Sequence, residues 1–311
     1  MPDMAGRATV DDINPARSFC DQTDGSPTFD GTTVVLGYTP TSGKYTLTAP
    51  LFCNKLTISG TAEVWAHQYT VDCYHLSVAS GAALTWDGND AAAGVQGATI
   101  AAGGQTFSAS GGGAVGVAIT GVGTAGSGSG GDKITGSAGG AGGTAGGANT
   151  GGAGNNTAAL TANQIREFRR QGWANRLRVT SATETTFGLA PNGGGGGGSG
   201  GCNTGTGSAT SGAGGGAGLV GTLRVGILEN YGRVTSRGGN GGDAAVTGAG
   251  VAGGGGGGAG GALHIECDKV IAEGTIDVAG GTPGAGAGTG GLVGVAGTDG
   301  LLVFLVAGRP G

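Results

Sequence analysis

The sequence is poor in the residues that usually build enzyme cores and charged binding surfaces. Of its 311 residues, 5% are aromatic and 11% are charged, which is too little for an ordinary enzyme core. The formal net charge of −5 provides no overall attraction to nucleic acid or anionic membranes. The longest apolar run, residues 301–307, is far shorter than the ~20 residues of a membrane helix. We therefore expect no nucleic-acid partner and no membrane insertion.

Patterns for catalysis, cofactor binding and zinc binding are also missing. His67, His75 and His264 are isolated from any arrangement that could pair a base with a nucleophile. No Walker lysine follows a glycine loop, and no GxGxxG string has a strand-to-helix context. The five cysteines are odd in number and lack CxxC spacing, which disfavours a zinc knuckle or a self-contained disulfide framework. We expect a protein that is not an enzyme and that uses no cofactor.

Glycine is present in large excess. The chain has 79 glycines and 8 prolines, a composition that usually indicates disorder. The glycines divide into those at turns inside repeats and those in long tracts such as residues 193–198 and 253–258. In residues 139–148 a local three-residue period fits a polyproline-II-type chain. Such tracts can pack backbone to backbone as polyglycine II helices, or they can form ordered loops.

Two matching stretches that are 20 residues apart indicate short stacked strands. Residues 53–60 are followed by Trp65, and residues 73–81 are followed by Trp86. A period of about 20 residues with small-residue turns is the length of one coil of a β-solenoid. A β-meander in a small sandwich is the alternative. In stacked coils Cys53 and Cys73 would lie about 4.8 Å apart, either as a thiol ladder or as a disulfide.

A second period, of about 40 residues, covers the region 191–311. Each unit is an apolar strand, a tight glycine turn, a second strand and a long glycine tract, and residues 302–306 begin a third unit. We predict an all-β fold of short-strand β-solenoid or sandwich modules with long glycine-rich loops and little α-helix. The glycine tracts either project as loops or lie together as polyglycine II helices.

Composition divides the chain into five segments. These are an extended N-terminal anchoring arm (1–43), a β module with rungs of about 20 residues (44–92), a glycine-rich segment (93–160), a basic connector (161–190) and a glycine-rich β repeat domain (191–311). The connector concentrates positive charge at Arg166, Arg169, Arg170, Arg176 and Arg178. This patch would dock on an acidic neighbour or another subunit, or bind an anionic ligand such as a phosphate-bearing glycan.

Two stretches fit the calcium-binding nonapeptide Gly-Gly-x-Gly-x-Asp-x-apolar-x. Residues 238–246 fit it with Asp243 at the acidic position, and residues 127–135 fit all but the first position with Asp132. In that motif the ligands come from stacked consecutive repeats, whereas these two stretches are isolated. We therefore favour a chance match over a calcium site.

Residues ~190–311, with strands such as those in 265–281 set between glycine tracts, resemble the glycine-rich regions of tailed-phage structural and tail-fibre proteins. The poly-Gly stretches also resemble the tips of T-even-type distal fibre adhesins, where polyglycine II helices form a layered scaffold. The N-terminal part does not match those adhesins. A second resemblance is to mycobacterial glycine-rich surface proteins with Gly-Gly-Ala repeats, although the helical N-terminal domain of that family is missing.

The resemblance implies a non-enzymatic component of a tailed-bacteriophage virion, such as a tail, collar or head fibre or a capsid decoration. Its partners would be other virion proteins and further copies of itself, as a homotrimer by fibre analogy. The N-terminus has no apolar h-region, so we expect no signal peptide, assembly in the host cytoplasm and release by lysis. Two alternatives stay open: an adhesin at a fibre tip that binds a host cell-surface glycan or protein, and a glycine-rich bacterial cell-surface protein.

Overall fold

The computed structural model describes residues 22–67, 69–90, 119–120, 199–202, 208–210, 212, 214–216, 218–248 and 250–306. All regular structure within these residues is β, which confirms the expected all-β class. The same residues include no helix that is long and apolar enough to span a membrane. Most of the segment 93–160 and all of the basic connector lie outside the described residues.

The strands are short at the N-terminal end and reach eleven residues in the repeat region. They are β1 (Thr28–Phe29), β2 (Lys44–Thr46), β3 (Leu51–Ile58), β4 (Glu63–Trp65), β5 (Val71–Val78), β6 (Ala83–Thr85), β7 (Ile119–Thr120), β8 (Ser199–Cys202), β9 (Ser208–Thr210), β10 (Val220–Asn230), β11 (Arg233–Thr235), β12 (Ala245–Thr247), β13 (Gly250–Ala252), β14 (Ala262–Ala272), β15 (Thr275–Asp277) and β16 (Leu301–Val306).

Two parallel sheets contain most of these strands. Sheet I has the order β1-β3-β5-β10-β14-β16, and sheet II has the order β15-β11-β6-β4-β2. Every pairing in both sheets is parallel. After each long strand from β3 to β14 the chain turns within two to four residues and enters a short strand of sheet II. The chain therefore alternates between the two sheets as it advances along the stack.

Both sequence periods are reflected in the register of the paired strands. β3 and β5 pair with Cys53 opposite Cys73, as the 20-residue repeat predicts. In the second period β10 and β14 pair with Val220 opposite Ala262. β5 also pairs with β10, so the segments 44–92 and 191–311, which the composition separates, contribute to the same two sheets.

The side chains that point between the two sheets form one apolar core. Along β5 these are Val71, Cys73, Leu76 and Val78, all fully buried. Among the described residues Trp86 is the largest fully buried side chain, and its Nε1 donates to the backbone oxygen of Tyr69 at 3.0 Å. A Cβ atom on Gly221 would lie 2.7 Å from the Trp86 ring. Trp86 therefore closes the side-chain core at the point where the strands give way to glycine.

Beyond this point both sheets continue as extended, mostly glycine-rich segments, which we call tracts. Tracts 2 (described at 212, 214–216 and 218–219), 4 (253–261) and 6 (291–300) lead into β10, β14 and β16 and form layer I. Tracts 1 (86–90), 3 (236–244) and 5 (278–285) follow β6, β11 and β15 and form layer II. Hydrogen-bonded tracts run parallel within a layer and antiparallel between the layers.

Backbone hydrogen bonds join the tracts at every third residue. From tract 2 to tract 4 they run from the N–H of Gly212, Gly215 and Gly218 to the oxygens of Gly253, Gly256 and Ala259; from tract 4 to tract 3 they run from Gly255, Gly258 and Gly261 to Gly242, Gly239 and Ser236. A β-strand repeats every second residue, whereas a polyproline II helix repeats every third. These tracts therefore lie against one another instead of projecting as separate loops.

Candidate functional site

Tract 4 lies at the centre of the tracts and is buried along its whole length. It donates hydrogen bonds to tracts 3 and 6 and accepts them from tracts 2 and 5. A Cβ atom on Gly257 would lie 2.0 Å from the oxygen of Gly281, and one on Gly260 would lie 1.8 Å from the oxygen of Val278. Neighbouring backbone thus occupies the space that a side chain would need, so these positions require glycine.

Backbone hydrogen bonds take the place of an apolar core in this half of the molecule. Within tract 4 the N–H groups of Gly254, Gly257 and Gly260 donate to tract 6 at 2.9 to 3.0 Å. Buried backbone N–H and C=O groups must be paired, and each such bond contributes a net ~0.5–1.5 kcal/mol. Many backbone hydrogen bonds, each with a small contribution, therefore stabilise the packing of the tracts without large side chains.

Side-chain oxygens cap the N–H groups on the outer face of layer II. Asp90 Oδ1 accepts the N–H of Asn240 at 2.6 Å. Asn240 Oδ1 in turn accepts the N–H of Thr282 at 2.9 Å and its hydroxyl at 2.7 Å. Asp243 Oδ1 accepts the N–H of Ala285 at 2.7 Å. Tracts 1 and 3 thus each provide Asp or Asn side chains that accept backbone N–H groups of the next tract in layer II.

All connections from layer II back to layer I leave from the same end of the tracts, away from sheets I and II. The chain leaves tract 1 at Asp90 and re-enters layer I at Gly212, leaves tract 3 at Ala244 and returns at Gly253, and leaves tract 5 at Ala285 and returns at Gly291. Small antiparallel pairings lie in these connections, with β9 between β7 and β12 and with β13 beside β8. This end is where long insertions are accommodated.

A buried ionic cluster lies on sheet I, across three neighbouring strands. Arg224 on β10 is opposite Asp72 on β5 and Glu266 on β14. Its Nε atom is 2.7 Å from Glu266 Oε2, and its Nη1 atom is 3.7 Å from Asp72 Oδ2. The Arg224 side chain is only 2% exposed. Because an uncompensated buried cation is strongly unfavourable, both carboxylates stabilise its charge.

Two histidines that look isolated in the sequence lie beside glutamates in the structure. His264 Nε2 is 3.6 Å from Glu266 Oε1, and His75 Nε2 is 3.0 Å from Glu229 Oε2. Burial lowers the pKa of His264, although the Glu266 charge opposes this shift. Glu229 lies on another strand, β10, so its contact with His75 could not be predicted from the sequence, whereas Glu266 follows His264 by two residues on β14 itself. The register of β5 and β10 places His75 beside Glu229, and the alternation of side chains along β14 places His264 and Glu266 on one face of the sheet.

The cysteine pair lies where the repeat predicts. Cys53 and Cys73 are opposite each other on β3 and β5, both are buried, and no disulfide joins them. Cys267 on β14 is also buried without a disulfide. Burial raises the pKa of its thiol to about 11, with smaller contributions from Asp268 and Glu273. A thiol with such a pKa is almost entirely protonated and hence unreactive at neutral pH.

The other site residues predicted from the sequence divide between described and undescribed parts of the chain. The Asp243 carboxylate is engaged by the N–H of Ala285. Within the described ranges, no group of three or more His, Cys, Asp or Glu side chains could hold a metal ion. The second nonapeptide aspartate and the basic patch lie outside the described residues; they are Asp132, Arg166, Arg169, Arg170, Arg176 and Arg178.

Comparisons with known proteins give no relative for this chain. No protein-family model matches it, and neither a curated protein nor a solved structure does.

Proposed function

We propose that this chain is a non-enzymatic structural component of a tailed-phage virion, part of a fibre or another surface appendage. In this proposal the two parallel sheets are the coils of a β-solenoid, and the six tracts continue those coils as a bundle of polyglycine II helices. The protein assembles in the host cytoplasm, joins other virion proteins and leaves the cell by lysis.

The observation that carries the proposal is the three-residue hydrogen-bond repeat between buried glycine tracts. A layered polyglycine II scaffold is what the resemblance to phage fibre adhesins implies. Such a bundle suits an appendage because it holds loops at one end on a narrow, hydrogen-bonded support that needs few large side chains. The buried Arg224 cluster and the engaged Asp243 carboxylate serve as structural contacts in this proposal.

The stacked register supports the solenoid part of the proposal. Successive strands of sheet I and of sheet II pair in parallel, and the chain alternates between the sheets. In a β-solenoid each coil hydrogen-bonds to its neighbours in this manner. The 20-residue coils then widen to about 40 residues because each later coil also carries two glycine tracts.

The virion proposal is tested on particles released by lysis from cells that express the gene. Particles purified through a density gradient are analysed by mass spectrometry and labelled with antibodies against the chain for electron microscopy. We expect the chain to co-purify with the particles and the label to mark an appendage. Finding the chain on the surface of unlysed cells instead would favour a bacterial cell-surface protein.

The adhesin alternative is favoured by one observation, namely that the connections between the layers emerge at one end. Loops held together on a rigid support are a common arrangement for binding sites. The test is binding of the labelled chain to host cells and to their purified surface polysaccharide. We compare the adsorption of a variant in which Gly-Ser replaces residues 286–290 with that of a control in which Gly-Ser replaces residues 59–62, at the opposite end of the molecule. Equal adsorption by the control and by variants of every connection would exclude the adhesin.

A further inference from the structure

Three of the outer edges of the two sheets carry features that prevent further pairing. The edge strand β1 of sheet I has two residues and follows Pro27. Beside β2, Thr41 and Lys44 exchange backbone hydrogen bonds in a tight turn. At the other edge of sheet II, β15 has three residues, and in tract 5, which follows it, Pro283 has no N–H and the N–H of Gly280 donates to Asp299 Oδ1 at 3.1 Å. Short strands, proline and capped donors are the usual means of blocking an edge.

The remaining edge, on β16, has none of these features. Within the part of the chain that the structure describes, β16 pairs with β14 alone. Its six residues Leu301–Val306 are uncharged and apolar. Leu302, Leu305 and Val306 are 37%, 44% and 49% exposed. A long, apolar and unprotected edge strand pairs readily with another strand.

The direction of its backbone groups makes this edge ready to pair. The N–H of Leu301 donates to Gly261 at 2.9 Å, on the β14 side. Because successive residues of a strand point their N–H and C=O groups to opposite sides, those of Leu302, Phe304 and Val306 point away from β14. Three residues therefore present both donors and acceptors along the outer edge.

We propose that β16 pairs antiparallel with β16 of a second copy of this chain, about a two-fold axis perpendicular to sheet I. A two-fold axis brings the same edge of two molecules together. Since β16 carries no charged side chain, pairing it with its own copy brings no like charges together. Pro283 and the capped Gly280 block layer II, so sheet I provides the contact. Sheet I then continues from one copy into the other.

The alternation of side chains restricts the register of this contact. Leu302 and Phe304 are in register with the core residues Leu263 and Ile265, so both point toward the core side of sheet I. In an antiparallel pair, directly opposed residues lie on the same face. Under a two-fold axis this condition is met, close to the middle of the strand, when the axis lies midway between Val303 and its copy or between Phe304 and its copy.

The first test measures the mass of the full chain in solution. We expect the wild type to sediment as a dimer, and Leu305→Lys to raise the dimer dissociation constant at least tenfold. The matched control, Ile271→Lys, changes a residue that is 51% exposed at the end of β14, and we expect it to stay dimeric. Leu302→Pro, which removes an outward N–H, should act like Leu305→Lys. A monomer, or the homotrimer of the fibre analogy unaffected by both β16 variants, would overturn the proposal.

The second test reads the register by cross-linking. Opposed Cα atoms in antiparallel strands lie about 4.5–5.5 Å apart, within the range of a disulfide. Val303→Cys and Phe304→Cys are oxidised separately, with Leu36→Cys as an exposed control, after their melting curves show that they fold. One of the two β16 variants should form a covalent dimer in high yield. Failure of both while the wild type is dimeric would place the contact elsewhere and refute the proposed pairing.

Discussion

Replacing Gly257 by alanine should destabilise the protein far more than a glycine-to-alanine change on the surface. Gly257 lies in tract 4, and its added Cβ atom would be 2.0 Å from the oxygen of Gly281 and 2.5 Å from its carbonyl carbon. Both atoms belong to a backbone, so no side chain can rotate away. Tracts 4 and 5 would have to separate locally to reach the 3.4 Å of ordinary contact.

The magnitude follows from the hydrogen bonds on either side of that contact. Gly281 donates to Gly258 and Gly284 donates to Gly255, both at 2.8 Å, and both bonds join tract 5 to tract 4. Moving the tracts apart by more than 1 Å breaks or strongly weakens both bonds. Leaving two buried backbone groups poorly paired costs about 2–6 kcal/mol. For a protein of this size the melting temperature should fall by roughly 5–20 °C.

The control is Gly25→Ala. Gly25 has φ +68° and no atom within 4 Å of its Cβ position, so alanine there has a conformational cost of roughly 1–2 kcal/mol and no clash. Urea and thermal unfolding of both variants, followed by circular dichroism, give the loss of stability that each substitution causes. If Gly257→Ala lost no more stability than Gly25→Ala, tract 4 would not be packed between its neighbours and the bundle would be wrong.

Four further outcomes are expected. Amide hydrogen exchange by NMR should show Gly254 and Gly258 protected like strand residues, because both N–H groups are hydrogen-bonded inside the bundle; rapid exchange would contradict this. Asn240→Ala should lose about 1 kcal/mol in urea unfolding since its side chain accepts two hydrogen bonds, while Asn240→Asp, which keeps the acceptor, should lose less. The pKa of His264 is lowered in the folded state, so below about pH 6.5 the unfolded chain binds a proton more readily than the folded chain does. The free energy of unfolding should therefore decrease as the pH falls below that value, and this decrease should be smaller in His264→Gln. The Cys267 thiol should resist a thiol reagent at pH 8 in the folded protein and react after unfolding, because its pKa is about 11; equal rates in both states would refute its burial.

Local repeats made the pairing of the N-terminal strands predictable from the sequence. The match between residues 53–60 and 73–81 gave both the period and the register, and Cys53 lies opposite Cys73 as expected. The later units gave the order of strand, glycine turn, strand and tract. In both cases the strands are close in sequence and each unit repeats the one before, so neighbouring pairings follow directly from the repeat.

Contacts between distant parts of the chain could not be predicted in this way. β5 pairs with β10, although more than a hundred residues separate them in the sequence. Arg224 meets Asp72 and Glu266 because these residues occupy the same position in successive strands of sheet I. Recognising that cluster requires the register across the whole sheet, and a two-residue error in the repeat would have separated the three side chains.

The glycine content of each tract reflects how many of its sides are covered by other tracts. Tract 6, at the edge of layer I, has glycine at every third position, and Gly294 and Gly297 point at the backbone of tract 4. Tract 3 has two glycines in three, with Asn240 and Asp243 at the positions that cap tract 5. Tract 4 is covered on all sides, and Ala259 is its one residue with a side chain. With a repeat of three residues each position of the repeat points in one direction, so a position whose Cβ atom would meet the backbone of a neighbouring tract demands glycine. The excess of glycine therefore encodes the packing of the tracts, position by position.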